Sequence, residues 1–323
     1  MIRAFVVEGG RLHRVELAQH KDQVMWADLL APTQSEEALI EEWVGIGIPT
    51  REEMEEIEIS SRLYIEDNAL FMTATLPAQT DDDHPRMSPV TFVLVDNRLV
   101  TVRYHEPRAF QTFPTRAEKV SIGCTSGETI LIGLLETIVD RLADISERVG
   151  RDIDALSHDI FQSTETKANK RDRNFQKVLQ TLGRKEGLTS DIRDSLMTLQ
   201  RLSGFLGNAL GQDKDGKELR ARVKVLTRDV MSLTDHVTFL SQKITFLLDA
   251  TLGMINIEQN GIIKIFSVAA VVFLPPTLVA SVYGMNFEIM PELQWPLGYP
   301  FALGLMVLSA VLPFWYFKRR GWL

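Results

Sequence analysis

Asn286 places an amide directly after a long apolar run, in the stretch Tyr283-Gly284-Met285-Asn286-Phe287, and two carboxylates, Glu288 and Glu292, follow in the same short loop. When the preceding residues are set 100° apart around a helix, Asn260, Ile263, Ser267, Ala270, Leu274, Thr277 and Ser281 fall on one slowly drifting stripe, the smaller and more polar face of the segment. Asp249 lies on the same face three turns earlier. Amides, hydroxyls and carboxylates in this order suit the handling of a hydrated cation. Carbonyl oxygens can hold a water shell, and carboxylates ringing an opening raise the local cation concentration. Ile263 and Leu274 on that stripe have the character of hydrophobic constrictions that gate by dewetting. Plainer readings stand beside these: Asn286 as a helix C-cap next to Gly284, Glu288 and Glu292 as loop solvation, and Asp249 as a solvated carboxylate. Met290 and Trp295 read as packing or interface anchors. Nothing points to bond-making chemistry, since His13, His20, His84, His105, His158 and His236 have no metal-ligand spacing and no phosphate loop, nucleophile elbow or zinc motif is present. The chain is expected not to be an enzyme.

The elements that must position these groups are two apolar runs, residues 265–283 and 299–317, each close to the ~20 residues needed to cross a bilayer core. Between Ile265 and Phe317 the charged residues are Glu288 and Glu292. Lys264 precedes the first run, Lys318, Arg319 and Arg320 follow the second, and the connecting loop 284–298 has no basic residue. The positive-inside rule then puts both termini in the cytoplasm and the loop outside. Tyr283, Trp295, Tyr299, Trp315, Tyr316 and Trp322 mark the interfaces. Pro275-Pro276 removes backbone donors inside the first span, and a bend is expected there.

The rest of the chain is hydrophilic. A net charge of -8 excludes a nucleic-acid partner, which needs concentrated Lys and Arg, and is compatible with divalent cations. A single cysteine, Cys124, forms no intrachain disulfide and places the soluble part in a reducing compartment, where it reads as a small buried apolar residue. The start MIRAFVVEGG has no long apolar core or cleavage site and reads as a strand. Residues 1–125 read as a mixed α/β domain. Hairpins are expected at Gly9-Gly10 and Asp96-Asn97, helices from Glu36 to Trp43 and from Arg51 to Ile57, and a polar loop from Asp81 to Pro85.

After Ser126 the strand pattern stops. Residues 126–212 read as a long helical hairpin, and 213–264 as a stalk helix continuous with the first span, separated from the hairpin by turns at Gly204, Gly207, Gly211 and Gly216. No proline lies between Lys217 and Pro275, so the stalk and span can form one helix roughly 90 to 100 Å long. Leu226, Val230, Leu233, Val237, Leu240, Ile244, Leu247, Thr251 and Met254 alternate steps of four and three, a heptad seam that seeks partner helices. A seam this long points to a homo-oligomer of unspecified number. The fold class is thus an α+β membrane protein with an N-terminal cytoplasmic α/β domain, a long helical stalk, two C-terminal transmembrane helices and a basic tail, 318–323.

The combination YGMNF from Tyr283 and MPEL from Met290 resembles the signature of the CorA magnesium transporters. INIEQN from Ile255, VFLPPTLVAS from Val272 and YFKRRGWL from Tyr316 are similar to the enterobacterial branch of that family, so that the close resemblance covers about the last 75 residues. What the resemblance implies is a homopentamer in the bacterial inner membrane, with lipid around it and the first span of each subunit about a central pore, below a funnel-shaped cytoplasmic assembly. It implies passive influx of magnesium, and also of cobalt and nickel, with Gly284, Met285 and Asn286 as the selectivity filter and Asn286 holding hydrated magnesium through its water shell. It also implies magnesium as a regulatory ion, sensed by cytoplasmic carboxylates. Candidates are Asp229, Asp235 and Asp249 on the stalk and Glu52, Glu53, Glu55, Glu56 and Glu58 in the α/β domain, which the sequence does not pair. Met285 favours the magnesium branch over a sibling zinc branch with Ile at that position. The zinc transporter of the same fold and a non-conducting membrane-anchored coiled-coil scaffold are the alternatives.

Overall fold

The computed structural model describes residues 1–80, 85–121, 123–162, 168–210, 214–286 and 290–322. They form two compact units, Met1–Leu248 and Asp249–Leu323. The first is built on a seven-stranded sheet of β1 (Ile2–Glu8), β2 (Arg11–Val15), β3 (Val24–Leu30), β4 (Leu63–Glu66), β5 (Ala69–Ala78), β6 (Arg86–Val95) and β7 (Arg98–Arg103), in the order β2-β1-β3-β7-β6-β5-β4. All neighbours are antiparallel except β3 and β7. The expected hairpins at Gly9-Gly10 and Asp96-Asn97 are present. Both residues of each turn have positive φ, the geometry whose twist matches paired strands. A third hairpin of the same kind turns at Asp67-Asn68.

Period-two alternation gives each face of the sheet its own core. Ala27, Leu29, Val93, Val100 and Val102 pack on one side with Ile40 and Trp43 of α1 (Gln34–Val44) and Met54 of α2 (Arg51–Glu55). The second helix stops at Glu55, short of the expected Ile57, which is exposed, and a short α3 (Ile59–Arg62) follows. Thr33 and Thr50 cap α1 and α2 in reciprocal boxes with Glu36 and Glu53. On the other face Phe5, Trp26, Met72, Phe92 and Leu99 meet α4 (Ala109–Lys119), α5 (Gly127–Gln162), α6 (Ala168–Ala209) and the first part of α7 (Lys214–Tyr283). Cys124 lies in this core, where burial pushes its thiol up to about 11. Of the expected polar loop from Asp81 to Pro85, residues 81–84 lie outside the described residues.

The parallel β3–β7 pair carries a charge inside the sheet. Arg103 donates from Nε and Nη2 to both carboxylate oxygens of Asp28, at 2.9 and 2.8 Å, and Thr101 donates to the same carboxylate at 2.9 Å. Arg103 and Asp28 are 0% and 1% exposed. A bidentate, fully hydrogen-bonded pair is the arrangement in which such burial is tolerated.

The long helices begin at a tight joint. The Gly127 amide donates to the Asn97 carbonyl at 2.8 Å, and a Cβ at Gly127 would come within 2.7 Å of that oxygen. Helices α5 and α6, 36 and 42 residues long, then fill the α7 seam within the one chain. Leu226, Val230, Val237, Leu240, Ile244 and Leu247 are all buried. This corrects the step from heptads to oligomer, because the partner helices for that seam are the chain's own. The turn assignment is also corrected: Gly204 and Gly207 lie inside α6 and Gly216 inside α7, while Gly211 is outside the described residues. Gly207 serves close packing instead, since a Cβ there would sit 3.4 Å from Val223.

In the second unit α7 runs through Pro275 and Pro276 to Tyr283, and α8 (Gly298–Arg319) follows a 3₁₀ turn at Pro291–Gln294. Both helices are long and apolar enough to cross a membrane, and few of their side chains are buried. At the end of α8, Gly321 has φ +69°, its amide donates to the Lys318 carbonyl at 3.2 Å, and the Trp322 amide donates to the Phe317 carbonyl at 3.1 Å. This is a Schellman closure, complete with its apolar contact, the Phe317 and Trp322 rings lying 5.2 Å apart.

Candidate ion pathway

Burial divides α7 in the second unit into two faces. Gly261, Val268, Val272, Pro275, Val279 and Tyr283 are buried or half-buried and recur at helical spacing. On α8 the covered positions include Ala302, Met306, Ser309, Ala310, Pro313 and Phe317, again one face. Asn260, Ile263, Ser267, Ala270, Leu274, Thr277 and Ser281 lie opposite the covered face of α7, and all seven are exposed. Val272 and Val279 belong to the covered face, whereas Phe266 and Phe273 are 69% and 70% exposed.

The polar members of the stripe are already partly satisfied. The Thr277 hydroxyl donates to the Phe273 carbonyl at 2.7 Å and the Ser281 hydroxyl to the Thr277 carbonyl at 2.8 Å. Each hydroxyl therefore spends its proton on its own helix and keeps acceptor lone pairs for the open side.

At Tyr283 the helix closes through its backbone, with the Gly284 amide donating to Ala280 at 2.9 Å and the Met285 amide to Val282 at 3.3 Å. A Cβ at Gly284 would press on the Ala280 carbonyl at 3.0 Å, so the turn is shaped for glycine. Asn286 stands beyond the closure, exposed and not in the left-handed conformation of a helix-ending residue. Its amide has no part in those capping bonds. Glu288 lies outside the described residues, and Glu292 falls on the 3₁₀ turn. At the other end of the stripe Asp249 is exposed.

The acidic candidates separate into engaged and open groups. Glu53 is held by its cap on Thr50, and Glu55 pairs with Arg51 at 3.0 Å. Glu52, Glu56, Glu58 and Asp235 are exposed. Asp229 lines a groove of about 510 Å3 between α5 and α7 with Glu136, Asp140, Glu147 and His236. Burial holds the Asp140 carboxyl above its ordinary range; Arg116 opposes this, and Asp144, Glu136 and Asp229 add to it. Glu136 accepts both arms of Arg222, at 3.2 and 2.8 Å. The α5 members of this group were missed at the level of sequence, although Glu136, Asp140, Asp144 and Glu147 recur at three- and four-residue spacing and so share one helix face. Among the described residues no three His, Cys, Asp or Glu side chains are arranged to hold a metal within one chain.

Comparison with known proteins returns one family, described as CorA-like Mg2+ transporter protein, over residues 21–319. The magnesium transport protein CorA of Pasteurella multocida is 39% identical over 325 residues, covering 100% of both chains. That of Escherichia coli K12 is 39% identical over the same span, again with 100% of both chains covered. Among solved structures, the complete CorA magnesium transporter from Methanocaldococcus jannaschii superposes with a TM-score of 0.78 at 18% identity, covering 100% of this chain and 99% of that one. The likeness therefore extends along the whole chain and is not confined to its last quarter.

Proposed function

The chain belongs to the CorA-like Mg2+ transporter family, and on that premise we propose that it conducts magnesium passively into the cell through a pore lined by the open face of α7. The observation that carries this reading is the stripe from Asn260 to Ser281, smaller and more polar than its surroundings, facing away from the covered side and followed five residues later by the exposed Asn286. A homopentamer in the bacterial inner membrane, with both termini cytoplasmic and lipid around it, brings five such stripes together.

Magnesium gives up its octahedral water reluctantly, so a pore that must also release it recognises the hydrated ion. A ring of Asn286 carbonyl oxygens accepts hydrogen bonds from that water without the deep well of a carboxylate ring. Gly284 and Met285 set the turn that presents it, and Glu288 and Glu292 concentrate cations at the outer mouth. Ile263 and Leu274 form dry constrictions, Asn260 and Thr277 polar rings, and Asp249 the cytoplasmic vestibule. Cobalt and nickel, with similar hydrated shells, follow the same route. The membrane potential supplies the driving force, about 2.3 kcal/mol per elementary charge per 100 mV. Cytoplasmic magnesium closes the pore by screening carboxylates, with Asp229 and its α5 neighbours as the local concentration of charge. In this reading the regulatory ion is shared between carboxylates that face each other across subunits.

The test is flux into proteoliposomes with magnesium, cobalt, nickel and zinc compared, for the native chain and Asn286→Ala. The variant is expected to assemble normally and lose magnesium uptake. Normal uptake in Asn286→Ala would falsify the filter assignment, and a zinc flux exceeding that of magnesium would move the protein to the zinc-transporting reading.

A further inference from the structure

The tail of α8 builds a second kind of site. Arg319 lies over the Trp315 ring at 4.3 Å, Arg320 over Tyr316 at 5.4 Å, and Lys264, at the start of the first span, over Trp322 at 5.9 Å. The Schellman closure at Gly321 makes the last of these contacts possible, because it folds Trp322 back onto Phe317 and so beneath Lys264. Three cations from two helices, with Lys318 beside them, are thus gathered at one end of the unit, all exposed. Stacking on a ring fixes each charge in place and lowers the entropy lost when it binds, yet leaves the guanidinium edges free to donate. Each of Lys264, Arg319 and Arg320 thus has an aromatic ring as a partner.

We propose that this cluster is a binding site for the phosphate of an anionic phospholipid in the leaflet at that end of the spans. The headgroup phosphate is a tetrahedral anion with several acceptor oxygens, two of which the planar edge of an arginine guanidinium can engage at once. The adjoining surface suits acyl chains, since Val311 and Leu312 one or two turns up α8 are 54% and 55% exposed. A soluble anion would make no use of that apolar continuation. The site rests on the reading of α7 and α8 as membrane spans, and not on ion conduction.

The full chain is reconstituted in phosphatidylcholine vesicles, and the motionally restricted fraction of spin-labelled phosphatidylglycerol is compared with that of spin-labelled phosphatidylcholine. A preference of about fivefold for phosphatidylglycerol is expected, with roughly twofold lost per arginine removed, so that Arg319→Gln with Arg320→Gln approaches parity. Trp315→Leu keeps every charge and is expected to weaken the preference, and Trp315→Phe to retain it. Excess inorganic phosphate is expected to leave it intact. Equal restriction of the two lipids, a preference untouched by the arginine pair or by Trp315→Leu, or displacement by free phosphate would each overturn the proposal. Lipid mobility is read whether or not the protein conducts, so a missing lipid preference and a missing magnesium flux are separate results.

Discussion

Along the single helix α7, similar side chains meet two environments. Val230, Val237, Ile244 and Leu247 are fully buried in Met1–Leu248, whereas Ile263, Leu274 and Leu278 are 60%, 65% and 65% exposed. The first group recurs in heptad steps with charged residues between, as a helix does when protein covers one stripe and water the rest. The second group belongs to a run without a charged face, whose apolar surface the chain itself leaves uncovered. What separates a stalk from a span is therefore the chemistry of the positions between the apolar residues.

The sharpest way to break this comparison is to remove charge from inside the Met1–Leu248 unit, where Arg103 and Asp28 pair. Arg103→Met leaves the Asp28 carboxylate buried without its counter-charge, and a loss of about 3–5 kcal/mol is expected in urea unfolding followed by tryptophan fluorescence. Next is a matched pair on α7. Leu240→Ala is expected to cost about 3 kcal/mol in the same measurement, through the lost burial and the cavity left behind. Leu278→Ala, in the span, is expected to leave that transition where it is. Equal effects from the two would mean that the apparent difference in environment is wrong.

A further test concerns pH. Burial is the main cause that lowers His105 from an ordinary 6.5 to about 4; its bond to the Leu76 carbonyl opposes this, and Arg103 and Arg86 add to it. The unfolded chain takes up the proton first. Stability is therefore full above pH 6.5, falls by about 1.4 kcal/mol for each pH unit as pH drops towards 4, and levels below that. His105→Gln should flatten this slope, and an unchanged slope would assign the acid sensitivity to other groups.

Much of this architecture was legible in the sequence because it is encoded locally. Gly9-Gly10 and Asp96-Asn97 mark turns that few other dipeptides make, and the two apolar runs with their basic flanks declare the spans. Asp67-Asn68 had the same signal and could have been read. β3 was obscured by Asp28, an acid in an apolar strand, because its partner Arg103 is distant in sequence and only the parallel pairing with β7 brings them together. α4 was obscured by Pro114, which interrupts the pattern from inside the helix. A heptad reports that a helix has a partner and does not say whose, and so the α7 seam pointed beyond the chain when α5 and α6 fill it. For the pathway, periodicity separated the open stripe from the covered face, but the assignment of Asn286 to a filter came from resemblance. The groove acids needed the contact between α5 and α7 before Asp229 had company.

The joint at Gly127 has a mechanical meaning. Its amide is bonded to the β6–β7 turn, and no side chain can be inserted between the two backbones. A hinge requires slack, and this junction has none, so it acts as a weld. A torque applied to the first turn of α5 is carried into the hairpin, and from there across the sheet through the ladders of β6 and β7. In the Met1–Leu248 unit the helix root and the sheet form one stiff lever arm, and compliance must reside elsewhere.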